Sequence, residues 1–186
     1  NNLLVNGGLR IHTTVDLAMQ RTAEEDVKKV YLISQDYSFG HAVAGAAKSM
    51  LQAKRPDVEI VGVQTETYPG MVAALAGEEA APTRADTIAD GIAVKQAGGL
   101  TVPIVRALVD DVITVPESTI ERAISLYLEI EKTVVEGAGA VGLAALLDDD
   151  RRWRGKRVAL ILSGGNIDTR VLASLLMREM VHSGRI

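Results

Sequence analysis

Val158-Ala159-Leu160-Ile161-Leu162, followed at once by Ser163-Gly164-Gly165-Asn166, is the stretch that decides the fold. Five apolar residues in a row, closed by a small-residue turn, read as a central strand of a parallel sheet. A hydroxyl at the carboxyl end of such a strand lies where open α/β sheets bind ligands. The glycines beside it let the backbone come close to whatever binds. Without further context, the same four residues are an ordinary strand-to-helix turn.

Outward from that strand, the pattern alternates. Strands are expected near 9–15, 30–34, 58–64, 111–115 and 157–162, and helices over 17–28, 39–54, 69–76, 101–109, 117–132, 139–147 and 169–181. Asp110-Asp111 leads into Val112-Ile113-Thr114-Val115. Pro116-Glu117 then opens a helix, with proline at a favoured first turn and an acid at the positive end of the dipole. The apolar-faced helix over Phe39–Ala53 joins Val30–Ser34 to Val58–Val63, which makes a βαβ unit with the two strands parallel and adjacent. The fold class is α/β, a mostly parallel sheet with helices on both faces, and 1–186 forms a single domain. Residues 77–100 are rich in Gly and Ala with little periodicity, and a loop of that length is expected to be open or mobile. The Asp148–Asp150 run beside Arg151-Arg152 reads as a solvated turn.

Composition excludes several functions. Apolar residues make up 47% and aromatic residues 3%, so the core is built of Val, Ile, Leu and Ala. Net charge is −4 with Lys and Arg dispersed, which argues against a nucleic-acid partner. No run of about 18 apolar residues suggests a membrane span. No basic start with an apolar run suggests a signal peptide, so the expected compartment is cytoplasmic. With no cysteine, thiol catalysis and disulfides are excluded. His12, His41 and His182 are scattered without metal-ligand spacing, so no metal site is expected.

Gly137-Ala138-Gly139-Ala140-Val141-Gly142 fits G-x-G-x-x-G and would suit a dinucleotide fold with Thr133–Glu136 as its strand. That fold needs an acid at the end of the next strand, and Leu162-Ser163 supplies none. Small residues for close helix packing are the simpler account.

From Val63 to Ile186 the chain resembles the back half of the catalytic domain of threonine dehydratase, a pyridoxal-phosphate enzyme of fold type II. The residues that carry the resemblance are Val63-Gln64-Thr65-Glu66, Asp86 to Val94, Val135 to Ala140, and Ser163 to Asp168. The resemblance implies the large-domain half of that fold. It implies a family reaction in which threonine or serine loses water and yields a 2-oxo acid and ammonia. It also implies four cofactor-binding positions. Ser163 faces the pyridine nitrogen, with Gly164 beside it, Gly91 passes close to the ring, and Glu136 lies near the cofactor edge. In the family the Schiff-base lysine and the phosphate-holding glycine loop belong to the front half, and neither matches here. No residue is therefore assigned as catalytic, and the chain is expected to be inactive as it stands, with binding of pyridoxal phosphate doubtful. Lys95 is near in sequence, but family members carry a lysine in this loop that is not the cofactor lysine, and a solvated charge is the plain alternative. Some family members bind a cation just past the Val63 strand through a glutamate. Here that position is Gln64, so a solvated strand end is expected instead.

The front third resembles other proteins. Lys29–Gly40 and the residues on to Gly62 resemble a periplasmic branched-chain amino-acid binding protein, so 28–62 looks borrowed. Ser38 there reads as a helix N-cap. Gly7–Asp16 and Met19–Glu25 resemble the segment before the transpeptidase domain of class A penicillin-binding proteins, so 1–27 looks borrowed as well. The S-x-x-K nucleophile of that domain is absent. Two other classes stay open beside the enzyme segment: a non-enzymatic chimeric or designed α/β domain, and a fragment of an amino-acid binding protein. Expected partners are another copy of the chain or a complementing chain, with a small amino acid as the family's substrate.

Overall fold

Four parallel strands in the order β5-β4-β3-β6 form the sheet that organises the chain: β3 is Tyr31–Gln35, β4 Glu59–Thr65, β5 Asp111–Val115 and β6 Val158–Leu160. The computed structural model describes residues 2–5, 9–12, 31–35, 58–80, 86–162 and 164–186. The register sets Tyr31 beside Glu59 and Val158, and Val61 beside Asp111. β3 and β4 are therefore parallel neighbours, as the βαβ reading expects. The helix expected over Phe39–Ala53 lies outside the described residues, as does the one over 17–28. A separate antiparallel pair, Asn2–Val5 (β1) with Leu9–His12 (β2), precedes the sheet.

The sheet is buried on both faces along β4. Val61 and Val63 enter the main core, whereas Ile60 points the other way into a small cluster with Val58, Val109 and Ile161. A parallel strand covered on both sides is expected to be apolar without alternation, as Ile60 to Val63 are in the middle of β4. Against β3, β4 and β5 lies helix α4, Gly137–Asp148. Every residue from Gly137 to Leu146 in α4 is buried, which only an all-apolar, small-residue helix tolerates. Helix α3, Glu117–Glu129, packs outside α4 through Ile120, Ala123, Ile124 and Tyr127, three or four residues apart on one face. Helix α6, Thr169–His182, covers α3 through Leu175 and carries the ion pair Arg178–Glu121 (2.6 Å), and Arg185, just past its end, pairs with Glu129 (2.8 Å). These exposed pairs orient α6 and add little stability.

Two shorter helices lie between β4 and β5 in the chain. Helix α1, Gly70–Ala76, ends at Gly77 in the left-handed region. Helix α2, Thr101–Leu108, follows it, and Arg106 donates to the carbonyls of Ala74 and Leu75 at the end of α1. The expected solvated end of β4 is corrected here: Gln64 and Thr65 are fully buried, and the Gln64 carbonyl accepts the N–H groups of Met71 and Val72. A buried amide is tolerable because it satisfies two otherwise orphaned helix donors. The Asp148–Asp150 turn is also more ordered than expected. Asp149 caps a short helix α5, Asp150–Trp153, by accepting from the N–H groups of Arg151 and Arg152. Trp153 is buried, with its indole N–H donating to Ala145 O at 2.9 Å.

Candidate cofactor-binding site

The strand order sets the location. β3, β4 and β5 are laid down in one direction, and the chain then returns to place β6 on the far side of β3. Such a switch point opens a crevice at the carboxyl ends of the two strands it separates. The residues leaving β6 there are Ile161 to Asn166.

Three segments converge beside that crevice, and glycines are what let them meet. Glu136 is the extended residue before α4; its N–H donates to Gly164 O at 3.1 Å, and its Oε2 accepts from Asn166 N at 3.2 Å. Gly164 has φ +132°, a backbone conformation L side chains avoid. A Cβ on Gly164 would stand 2.6 Å from Glu136 Oε1. A Cβ on Gly165 would stand 2.8 Å from Val134 O. From the third side comes the loop carrying the 3-10 turn Asp90–Ile92. A Cβ on Gly91 would lie 3.1 Å from Ala138 Cβ and 3.9 Å from Glu136 Oε1. Gly91, Glu136 and Gly164, which lie up to 73 residues apart in sequence, thus form one cluster. Ser163, adjoining Gly164 in sequence, lies outside the described residues.

The loop before Gly91 is held from two directions. A Cβ on Gly137 would overlap the carbonyl oxygen of Ile88 and lie 2.8 Å from Ala89 N. Glu117, at the start of α3, accepts hydrogen bonds from Thr65, Thr67 and Thr87 hydroxyls and from the N–H of Ile88. Ala89 and Ile92 are fully buried. Of the 77–100 segment expected to be open or mobile, residues 81–85 lie outside the described residues, Thr87 and Ile88 are bonded to Glu117 and Ala89 and Ile92 are buried, whereas Asp90, Gly91, Lys95, Gln96 and Gly98 to Leu100 are exposed. Sequence reasoning read Glu117 only as a helix-dipole acid, because its four donors lie 29 to 52 residues away.

The cluster fits one wall of a planar ring. Two exposed glycines flank a half-buried carboxylate, leaving backbone instead of side chains on the open side. What a lysine-bound cofactor needs is not found among the described residues. A reactive lysine requires a dry pocket, but Lys95 and Lys132 are exposed, and Lys156 sits against the Trp153 ring at 5.8 Å. Lys28, Lys29, Lys48 and Lys54 lie outside the described residues. Among the described residues no group of His, Asp or Glu could hold a metal ion, and no helix is long and apolar enough to cross a membrane. The G-x-G-x-x-G run has a packing explanation. Thr133–Glu136 is not a strand, and Gly137 is small because the Ile88 carbonyl lies on it.

Comparison with known proteins agrees with the geometry. Residues 15–164 match the family of pyridoxal-phosphate dependent enzymes. The chain belongs to that family. L-threonine ammonia-lyase of Thermotoga maritima is 40% identical over 162 residues, covering 87% of this chain and 40% of the relative. The catabolic L-threonine dehydratase TdcB of Escherichia coli K12 is 37% identical over 147 residues, 77% of this chain and 44% of the relative. Among solved structures, a threonine deaminase from T.th. superposes with a TM-score of 0.67 at 32% identity, covering 82% of this chain and 54% of that one. Maize serine racemase superposes with the same TM-score at 29% identity, covering 90% and 51%. The fold is accordingly that of the fold-type-II enzymes, and the chain spans about two fifths of the length of these curated relatives. The family match, residues 15–164, includes 28–62 and part of 1–27, the two stretches that resemble other proteins.

Proposed function

We propose that this chain is the ring-wall segment of a pyridoxal-phosphate-dependent ammonia-lyase acting on threonine or serine, incomplete for turnover as a 186-residue unit. The observation that carries the reading is the convergence of Gly91, Glu136 and Gly164 beside the switch point between β3 and β6. When bound, the cofactor supplies an electron sink for the bonds at the amino-acid α-carbon. The chain's own residues do the rest of what is assigned here. Gly91 and Gly164 let their backbones close on Glu136 and Ala138, so that the wall presented to a ring is backbone, and Glu136 braces the Gly164 turn through its N–H and Oε2. Ser163 would present a neutral hydroxyl to the pyridine nitrogen, leaving that nitrogen largely unprotonated. No residue of this sequence is assigned as the family's lysine or as its phosphate-holding glycine loop, so a complementing chain or segment is the expected partner. The rival reading, a non-enzymatic α/β domain, is favoured by one observation: no described lysine sits in a dry pocket.

The test is a titration of the chain with pyridoxal phosphate followed by absorbance. Saturable binding that weakens when Gly91 is replaced by valine supports the wall. Binding that Gly91→Val leaves unchanged, or no saturable binding, removes it. Ammonia release from threonine by the chain alone would overturn the statement that it is incomplete.

A further inference from the structure

We propose that Glu117 is a positioning residue, a latch that sets the Asp90–Gly91 edge of the site; its link to the cofactor rests on the function proposed above. Glu117 Oε1 accepts from the hydroxyls of Thr65 (2.5 Å), Thr87 (2.6 Å) and Thr67 (3.2 Å), and Oε2 accepts from Ile88 N (3.0 Å). The donors come from the end of β4, the turn after it, and the loop leading to Gly91. Directionality is enforced a step further out. The Thr65 hydroxyl oxygen accepts Thr67 N, and the Thr87 hydroxyl oxygen accepts Ala89 N, so both hydroxyls point their protons at the carboxylate. Such charge-assisted bonds are among the stronger ones available. Their effect reaches the site by a short path. Ile88 carries the carbonyl that rests on Gly137, Ala89 and Ile92 are fully buried, and Gly91 abuts Ala138, two residues beyond Glu136. Release of Ile88 would let the Gly91 edge move relative to Glu136.

A space-filling role and a latch differ in what glutamine does. Glu117→Gln keeps the shape, and its carbonyl can still accept three hydroxyls, but its NH2 then faces the Ile88 N–H, donor against donor. The experiment is hydrogen exchange on the whole chain as wild type, Glu117→Gln and Glu117→Ala, with pyridoxal phosphate titrated against each. Expected are amides of Ile88, Ala89 and Ile92 that exchange about tenfold faster in Glu117→Gln, with Val63, Ile113 and Leu143 unchanged. Glu117→Ala should extend the faster exchange to Thr67. Affinity for pyridoxal phosphate should fall several-fold in both variants. An exchange pattern in Glu117→Gln identical to wild type, or a uniform rise across the sheet, overturns the latch. Loop amides that loosen while affinity is unchanged overturn its link to the site. If the wild-type chain binds no pyridoxal phosphate, the ring-wall reading falls by itself, and the exchange pattern still decides the latch.

Discussion

Replacing Gly137 by alanine puts a methyl group where the carbonyl of Ile88 now rests. The added Cβ would overlap that oxygen and lie 2.5 Å from its carbon and 2.8 Å from Ala89 N, all backbone atoms that no side-chain rotation can clear. Ordinary carbon contacts need about 3.5 Å, so the loop must retreat by about 1 Å. It cannot do so freely, because Ile88 N is held by Glu117 on the other side. Overpacking of this kind costs about 1–3 kcal/mol. Alanine's helix preference returns less than about 1 kcal/mol, and least in a first turn. The net loss is then about 2 kcal/mol, a fall in Tm of roughly 4–8 °C for a chain of this size. Gly99→Ala is the control, since a Cβ there meets nothing within 4 Å; it should stay within about 0.5 kcal/mol. Urea unfolding of both variants, and of Gly137→Ala combined with Glu117→Ala, would measure it. Both changes dislodge one loop, so the double variant should lose less than the sum by about 0.5–1 kcal/mol. Equal midpoints for Gly137→Ala and Gly99→Ala, or strict additivity in the double variant, would refute the picture of a loop wedged between α3 and α4.

Gly164→Ala should cost about 1–3 kcal/mol, because φ +132° is strained for alanine and the Glu136 carboxylate must swing away; loss of protection at the Asn166 amide would report the swing, and an unchanged amide would count against it. Tyr127 is held neutral above its ordinary range of about 10 by burial, with Glu131 adding to the effect. The folded state keeps that proton while the unfolded state loses it, so stability should be intact below pH of about 10 and decline above it. Tyr127→Phe should flatten the decline, as read from urea midpoints at pH about 9 and about 11; an equal slope in both proteins would mean the buried phenol is not responsible. Borohydride reduction of the chain with pyridoxal phosphate should label Lys95 only substoichiometrically, since it is exposed; full labelling on a peptide map would make it the cofactor lysine.

Local signals carried the elements well and the contacts between them poorly. β5 was readable because Asp110-Asp111 and Pro116 bracket four β-prone residues, and the structure has it at Asp111–Val115. The Gly91, Glu136 and Gly164 cluster was reachable only through family resemblance, since no periodicity in the chain joins positions so far apart. Gln64 was misread as solvated because its burial depends on α1 folding back to present two N–H groups. Asp149 looked like part of a solvated turn and Trp153 carried no signal; the cap and the indole bond to Ala145 appear only in the folded chain. Glu117 shows the limit most clearly, because three threonines that each look like ordinary loop or strand residues become one site only in three dimensions.

The strand order also has a consequence during synthesis. β4 can pair with β3 early, but the other side of β3 waits for β6, which pairs Tyr31 with Val158. At about 5–20 residues per second, Val158 is made roughly 6–25 s after Tyr31. For that interval one flank of β3 has no β6 to pair with its backbone N–H and C=O groups, the kind of edge that recruits strands from other chains. Nascent chains crowded on one messenger are then the situation in which this sheet is most exposed to the wrong partner, and slowing translation between β5 and β6 should lower the soluble yield more than slowing it after β6.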